Sequence, residues 1–83
     1  MKLYCRIINF TLLAPSLWVM INQFKSQNND LTIIKLADNK GVIIETFETA
    51  SLAGKNTTVL AAMQSLKAQA MAKVLVEEGA KLD

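Results

Sequence analysis

Residues 7–24 read IINFTLLAPSLWVMINQF, with no charged side chain among them; Lys2 and Arg6 precede the run and Lys25 follows it. Where this stretch is housed decides the fold. A bilayer span needs about 20 mostly apolar residues, and Asn9, Thr11, Pro15, Ser16, Asn22 and Gln23 interrupt this one with polar groups that lipid leaves unsatisfied. A secretory signal needs a basic start, an apolar run and small residues before the cut. Ala14 and Ser16 supply the small pair, but Pro15 lies between them and the bulky Leu17-Trp18 follows. The competing reading is a strand that runs into a short core helix. Leu3, Cys5 and Ile7 alternate with Lys2, Tyr4 and Arg6 at the period of a strand. Pro15 suits a first helical turn, where its missing N–H is not needed. Leu17, Ile21 and Phe24 then fall on one helical face, with Met20 beside them. The sequence therefore predicts a strand over 2–10 and a helix over 15–25 in a water-soluble, cytoplasmic protein. The alternative is a membrane-anchored or exported protein with residues 1–24 as signal or anchor, and a membrane enters only on that reading.

Downstream, KSQNND (25–30) is a polar loop, and LTIIKLA (31–37) and VIIETF (42–47) flank the turn chemistry of Asp38-Asn39-Lys40-Gly41. This is a β-hairpin, 31–37 with 42–47. Pairing Ala37 with Val42 sets Leu36 opposite Ile43, Ile34 opposite Glu45 and Thr32 opposite Phe47, a mostly apolar face for the core. The other face, with Ile33, Lys35, Ala37, Val42, Ile44 and Thr46, is mixed and suits a contact surface. ETASLAGK (48–55) reads as a linker of small residues, and Asn56 or Thr57 as an N-cap. A long helix is predicted over 57–78, closed by Gly79. Val59, Ala62, Met63, Leu66, Ala70 and Val74 form its apolar stripe, extended by Leu60, Met71 and Leu75, with Leu82 tucking back after the cap. The expected architecture is a single small α+β domain over 1–83 in the order β-α-β-β-α, a three-stranded sheet with two helices packed on it.

Composition narrows function mainly by exclusion. The chain has 83 residues, 52% of them hydrophobic, one cysteine and no histidine. That is too apolar for intrinsic disorder, short of the two cysteines a disulfide needs, and without the imidazole of a catalytic triad or a zinc site. Lys plus Arg is 9 against 7 Asp plus Glu, a net charge of +2. The two signs are interspersed, which argues against a nucleic-acid partner. Ala53-Gly54-Lys55-Asn56-Thr57-Thr58 resembles the end of a phosphate-binding loop, but Thr49 stands where the first glycine belongs and Asn56 where Ser or Thr does. Cys5 has no base to form a thiolate and reads as a buried small hydrophobe. Glu45 sits on the apolar hairpin face in a structural role, and Glu77 and Glu78 face solvent, with Lys73 and Lys81 four positions either side of Glu77.

No catalytic, cofactor or metal set emerges. The expectation is a non-enzymatic protein-binding module (adaptor, regulator or inhibitor) that uses the hairpin face or a sheet edge. Tyr4, Trp18, Ile33, Lys35, Ile44 and Thr46 are the candidate contacts. A chain this short buries limited surface on its own, which favours a homo-oligomer.

Overall fold

The computed structural model describes residues 3–26 and 31–82. Residue 2, where the first strand was expected to begin, and residues 27–30 of the polar loop lie outside the described residues. The elements run β1 (Tyr4–Thr11), a helical segment, β2 (Leu31–Ala37), β3 (Lys40–Phe47), α2 (Ala50–Lys55), α3 (Thr58–Gln69) and β4 (Lys73–Ala80). The helical segment combines a 3-10 turn at Pro15–Leu17, a short α-helix α1 at Trp18–Asn22 and a second 3-10 turn at Gln23–Ser26. The sheet order is β2-β3-β1-β4, and every neighbouring pair is antiparallel. β1 and β2 therefore run the same way with β3 between them, and β3 and β4 run the same way with β1 between them. These are two interleaved split βαβ units, the ferredoxin-like connectivity, which by itself assigns no activity.

The expectation of a small α+β domain holds. The count of three strands does not, because the predicted helix 57–78 is two elements. α3 stops at Gln69; Met71 takes a left-handed φ of 57°, and the amides of Ala70 and Ala72 both turn back to the Leu66 carbonyl. The chain then returns as β4 beside β1. Val74 and Val76 point half-buried toward the core while Lys73, Leu75 and Glu77 point away. This is the period-2 pattern of a strand with β-branched residues inward. The linker 48–55 also holds a helix, α2, whose N-cap Thr49 accepts from the Leu52 amide at 3.1 Å.

The hairpin register also differs. Its loop is Asp38-Asn39 alone, and Ala37 pairs with Lys40, Ile34 with Val42, Thr32 with Ile44 and Leu31 with Glu45. The offset from the expected pairing is three residues beyond a bulge between Lys35 and Ala37. An odd shift exchanges the faces of one strand relative to its partner. Ile43, Glu45 and Phe47 of β3 point into the core as expected, but on β2 the inward residues are Leu31 and Ile33. Thr32, Ile34 and Leu36 face outward.

The uncharged stretch 7–24 supplies half of the buried core, while its Ile7, Leu13, Val19 and Met20 stay exposed, Met20 against the expectation that it joins the buried helical face. Ile8, Phe10, Leu12, Trp18, Ile21 and Phe24 join Leu31, Ile43, Val59, Met63, Leu66 and Ala72 in one buried cluster. No helix among the described residues is long and apolar enough to cross a membrane. The Trp18 indole fixes the mouth of this core. Its Nε1 donates to the Asp38 carbonyl at 2.6 Å, and its ring meets Phe10 edge-on with centroids 5.3 Å apart. Both rings lie over Gly41, where a Cβ would stand 2.6 Å from Phe10 Cζ and from Trp18 Cη2. Only a hydrogen fits there.

Candidate functional site

Two groupings stand out: a charged cluster under the helices and the uncovered face of the sheet.

The cluster is built on Arg6. Its strand parity, shared with Ile8 and Phe10, points it inward, and it is 1% exposed. Nε donates to Glu78 at 3.0 Å, a side chain on the neighbouring strand directly opposite. Nη1 donates to Glu45 at 3.2 Å and to the Asn56 carbonyl at 3.0 Å, and Nη2 donates to the Ala53 carbonyl. The guanidinium also lies over the Phe47 ring, 5.1 Å from its centroid. Ala53 and Asn56 are at the end of α2, whose last carbonyls lack helical partners and carry the negative end of the helix dipole. A buried cation placed there satisfies both, and Asn56 adds a second cap by donating from Nδ2 to the Leu52 carbonyl at 2.8 Å. Tyr4 completes the outer edge by donating its hydroxyl to Glu78 at 2.9 Å.

The ionisation of the cluster follows from its geometry. Burial pushes the Glu45 carboxyl above the ordinary carboxylate range, since desolvation outweighs the attraction of a guanidinium shared with Glu78. Glu78, nearer water, is held below that range by its hydrogen bonds from Arg6 and Tyr4. Tyr4 is pushed up by donating to that carboxylate. Perturbed carboxylates of this kind are one signature of active sites. Here, however, among the described residues no buried side-chain nitrogen or oxygen lacks a partner, and those of Arg6, Glu45 and Glu78 are supplied from within the chain. The cluster is a closed knot that ties β1, β3, β4 and α2 together. Sequence reasoning placed Glu45 on a buried face but missed Arg6 as its partner, and it set Glu78 in solvent on a helix. The alternation Arg6, Ile8, Phe10, Leu12 carried the signal, since the opposite parity holds the polar Asn9 and Thr11.

The second grouping is the face of the sheet that the helices leave uncovered. Cross-strand pairing arranges it in rows. One row runs Thr32, Ile44, Ile7, Glu77 from β2 to β4. The next runs Ile34, Val42, Asn9, Leu75. A third, at the end where β1 finishes, carries Lys40, Thr11 and Lys73 with Leu36 beside them. Ile7, Ile34, Leu36 and Leu75 are exposed apolar side chains, the last two by 63% and 61%. Between the second and third rows lies a shallow depression of about 270 Å³, walled by Leu36 and Leu75 and rimmed by Lys40 and Lys73.

Of the residues predicted to make contacts, the structure brings Ile44 and Thr46 together on this open face. Ile33 and Lys35 lie on the opposite, helix-covered side: Ile33 packs on the core and the Lys35 ammonium sits 5.4 Å from the centre of the Trp18 ring. Trp18 is itself buried in the core, and Tyr4 belongs to the Arg6 cluster. Cys5, expected in the core, is half-buried on the open face. Gly54 and Lys55, the candidate phosphate-loop residues, end α2 rather than begin it, so the amides of a helix start are not offered to an anion there. The positions 73, 77 and 81 are not helical, which removes the expected i,i+4 pairing of Glu77. The described residues contain no group of three or more His, Cys, Asp or Glu arranged to hold a metal ion. The chain matches no protein-family model and no curated protein sequence.

Proposed function

We propose that this chain is a cytoplasmic, non-enzymatic protein-binding module, an adaptor, regulator or inhibitor, that engages its partner through the open face of the sheet. One observation carries the reading. The helices cover only one face, and the other presents Ile7, Ile34, Leu36, Val42, Ile44 and Leu75 as an apolar surface interrupted by Asn9 between Val42 and Leu75 and edged by polar side chains. Exposed apolar patches of this kind mark interaction sites. Strand addition at β2 is a weaker candidate, since the bulge near Lys35 and Ala37 disturbs that edge.

The test is site-specific photo-cross-linking in cells, with a photoreactive residue in place of exposed Leu36 on the open face or of exposed Gln64 on α3. A defined protein adduct from position 36 and none from position 64 is the expected result. No protein adduct from position 36, or equal labelling from both, overturns the reading.

A further inference from the structure

We infer that the occupant of the open face is a second copy of this chain, packed sheet to sheet about a two-fold axis perpendicular to the strands. The inference rests on the binding-module reading above and names its partner. Charge and polar pairing on the face select both the partner and the axis.

Along β4 the face reads Lys73, Leu75, Glu77: a cation, an apolar residue and an anion at successive outward positions. A two-fold through the row Ile34, Val42, Asn9, Leu75 reverses this order in the second copy. Leu75 then meets Leu75, Lys73 meets Glu77 of the second copy, and Glu77 meets its Lys73. The same operation sets Ile34 against Ile34 and Val42 against Val42. The Asn9 carboxamides meet, and each carries both a donor and an acceptor. Lys40 lies over Ile44 of the second copy, its stem covering apolar surface while its ammonium reaches solvent at the rim.

The other face-to-face two-fold, parallel to the strands, is worse on both counts. It gathers Lys40 and Lys73 of both copies at one end and sets Asn9 against Val42, which leaves a buried carboxamide without a partner. Packed sheets cross at about 30°, an offset that the flexible Lys73 and Glu77 side chains absorb.

Size agrees with a reversible dimer. Four strands about 4.8 Å apart and about seven residues of about 3.4 Å each give a face of roughly 450 Å². Two such faces total roughly 900 Å² before side-chain relief is counted, at the low end of specific interfaces, where weak and transient complexes lie. A dissociation constant in the micromolar range is expected.

Sedimentation velocity over about 1–500 μM spans that range. The expected result is a shift from one chain of 9.1 kDa to two. Leu75→Lys should abolish the shift. Lys73→Glu and Glu77→Lys should each weaken association about tenfold, because symmetry breaks two pairs at once. The double variant Lys73→Glu/Glu77→Lys should recover most of the loss. All these positions are exposed, and far-UV circular dichroism confirms that each variant is folded. A dimer indifferent to Leu75→Lys and to the charge swaps is joined elsewhere and overturns the inference. A wild-type chain that stays monomeric to 500 μM also overturns it. In that case a cross-linked adduct of another mass from position 36 keeps the module reading alive, and the absence of any adduct ends both.

Discussion

Replacing Arg6 with Met tests the description of the charged cluster as a structural knot. The substitution keeps an unbranched apolar stem and removes the charge and four hydrogen bonds: one to Glu78, one to Glu45 and one each to the carbonyls of Ala53 and Asn56. Glu78 retains side-chain exposure of 34% and can rehydrate; Glu45, at 2%, cannot. Breaking a buried pair in this way costs about 3–5 kcal/mol. An 83-residue domain at about 0.05–0.15 kcal/mol per residue has about 4–12 kcal/mol in total, so the variant should be marginally folded. Glu45→Leu should cost far less, about 0–2 kcal/mol, because Arg6 keeps Glu78 and both carbonyls. In Arg6→Met/Glu45→Leu no charge is stranded, and the remaining cost is that of the two helix-end carbonyls. The double variant should therefore be more stable than Arg6→Met alone, with a coupling of about 1–3 kcal/mol. The assay is urea unfolding followed by circular dichroism and Trp18 fluorescence at one low protein concentration, since association would add apparent stability. A cost below about 1 kcal/mol for Arg6→Met, or strictly additive costs in the double variant, refutes the knot.

Gly41→Ala should destabilise by about 2–3 kcal/mol, because the new methyl meets two rings and the Ile34 carbonyl, within 2.8 Å; the urea midpoint should fall and Trp18 emission shift to the red. Met71→Gly should stabilise by about 0.5–1 kcal/mol by relieving a left-handed β-carbon at an exposed position, read as a rise in Tm of several degrees. For pH, Glu78 has a folded pKa below its unfolded one, so its contribution is present above the ordinary carboxylate pKa of about 4.3 and lost as pH falls through the folded value. Glu78→Gln should flatten the acid limb of a stability–pH curve below that point. Glu45 has the opposite sign: its folded pKa is raised, so its contribution is full below the unfolded pKa and lost as pH rises through the folded value. Glu45→Gln should remove that decline on the neutral side.

The legible parts of the fold were those with a strong local signal. Asp38-Asn39 between two β-branched runs marks a hairpin, Pro15 marks a helical entry, and the large residues of 7–24 mark a core. The strand β4 was hidden for two local reasons. Helix formers run without a break from α3 into Ala72-Lys73, and the left-handed stop at position 71 is a methionine where a glycine would have announced it. The residue that does look like a helix stop, Gly79, lies inside the strand. The face assignment failed for a different reason. Taking Asp38-Asn39-Lys40-Gly41 as a four-residue loop shifts the register by two, which alone would preserve the faces; the bulge between Lys35 and Ala37 adds a third residue, and that odd step, which the parity of a single strand does not record, inverts β2. Ile44 and Thr46 survived on the candidate surface because β3 was placed correctly; Ile33 and Lys35 did not because β2 was inverted.

The two polar-apolar inversions of this molecule explain each other. A sheet with helices on one face normally carries polar residues outward and apolar residues inward. Here Arg6 and Glu45 are inside, and Ile7, Ile34, Val42, Ile44 and Leu75 are outside. On β1 the parity is contested: Ile8, Phe10 and Leu12 favour the observed side over one that carries Asn9 and Thr11, while the charged Arg6 counts against it. What settles it is that only the observed parity lets Arg6 reach Glu45, Glu78 and the end of α2 at once, while slipping the strand by one residue would strand both buried charges. The charged knot thus fixes which face meets the helices. By doing so it commits the remaining aliphatic side chains to the outside, where only a further surface can remove them from water.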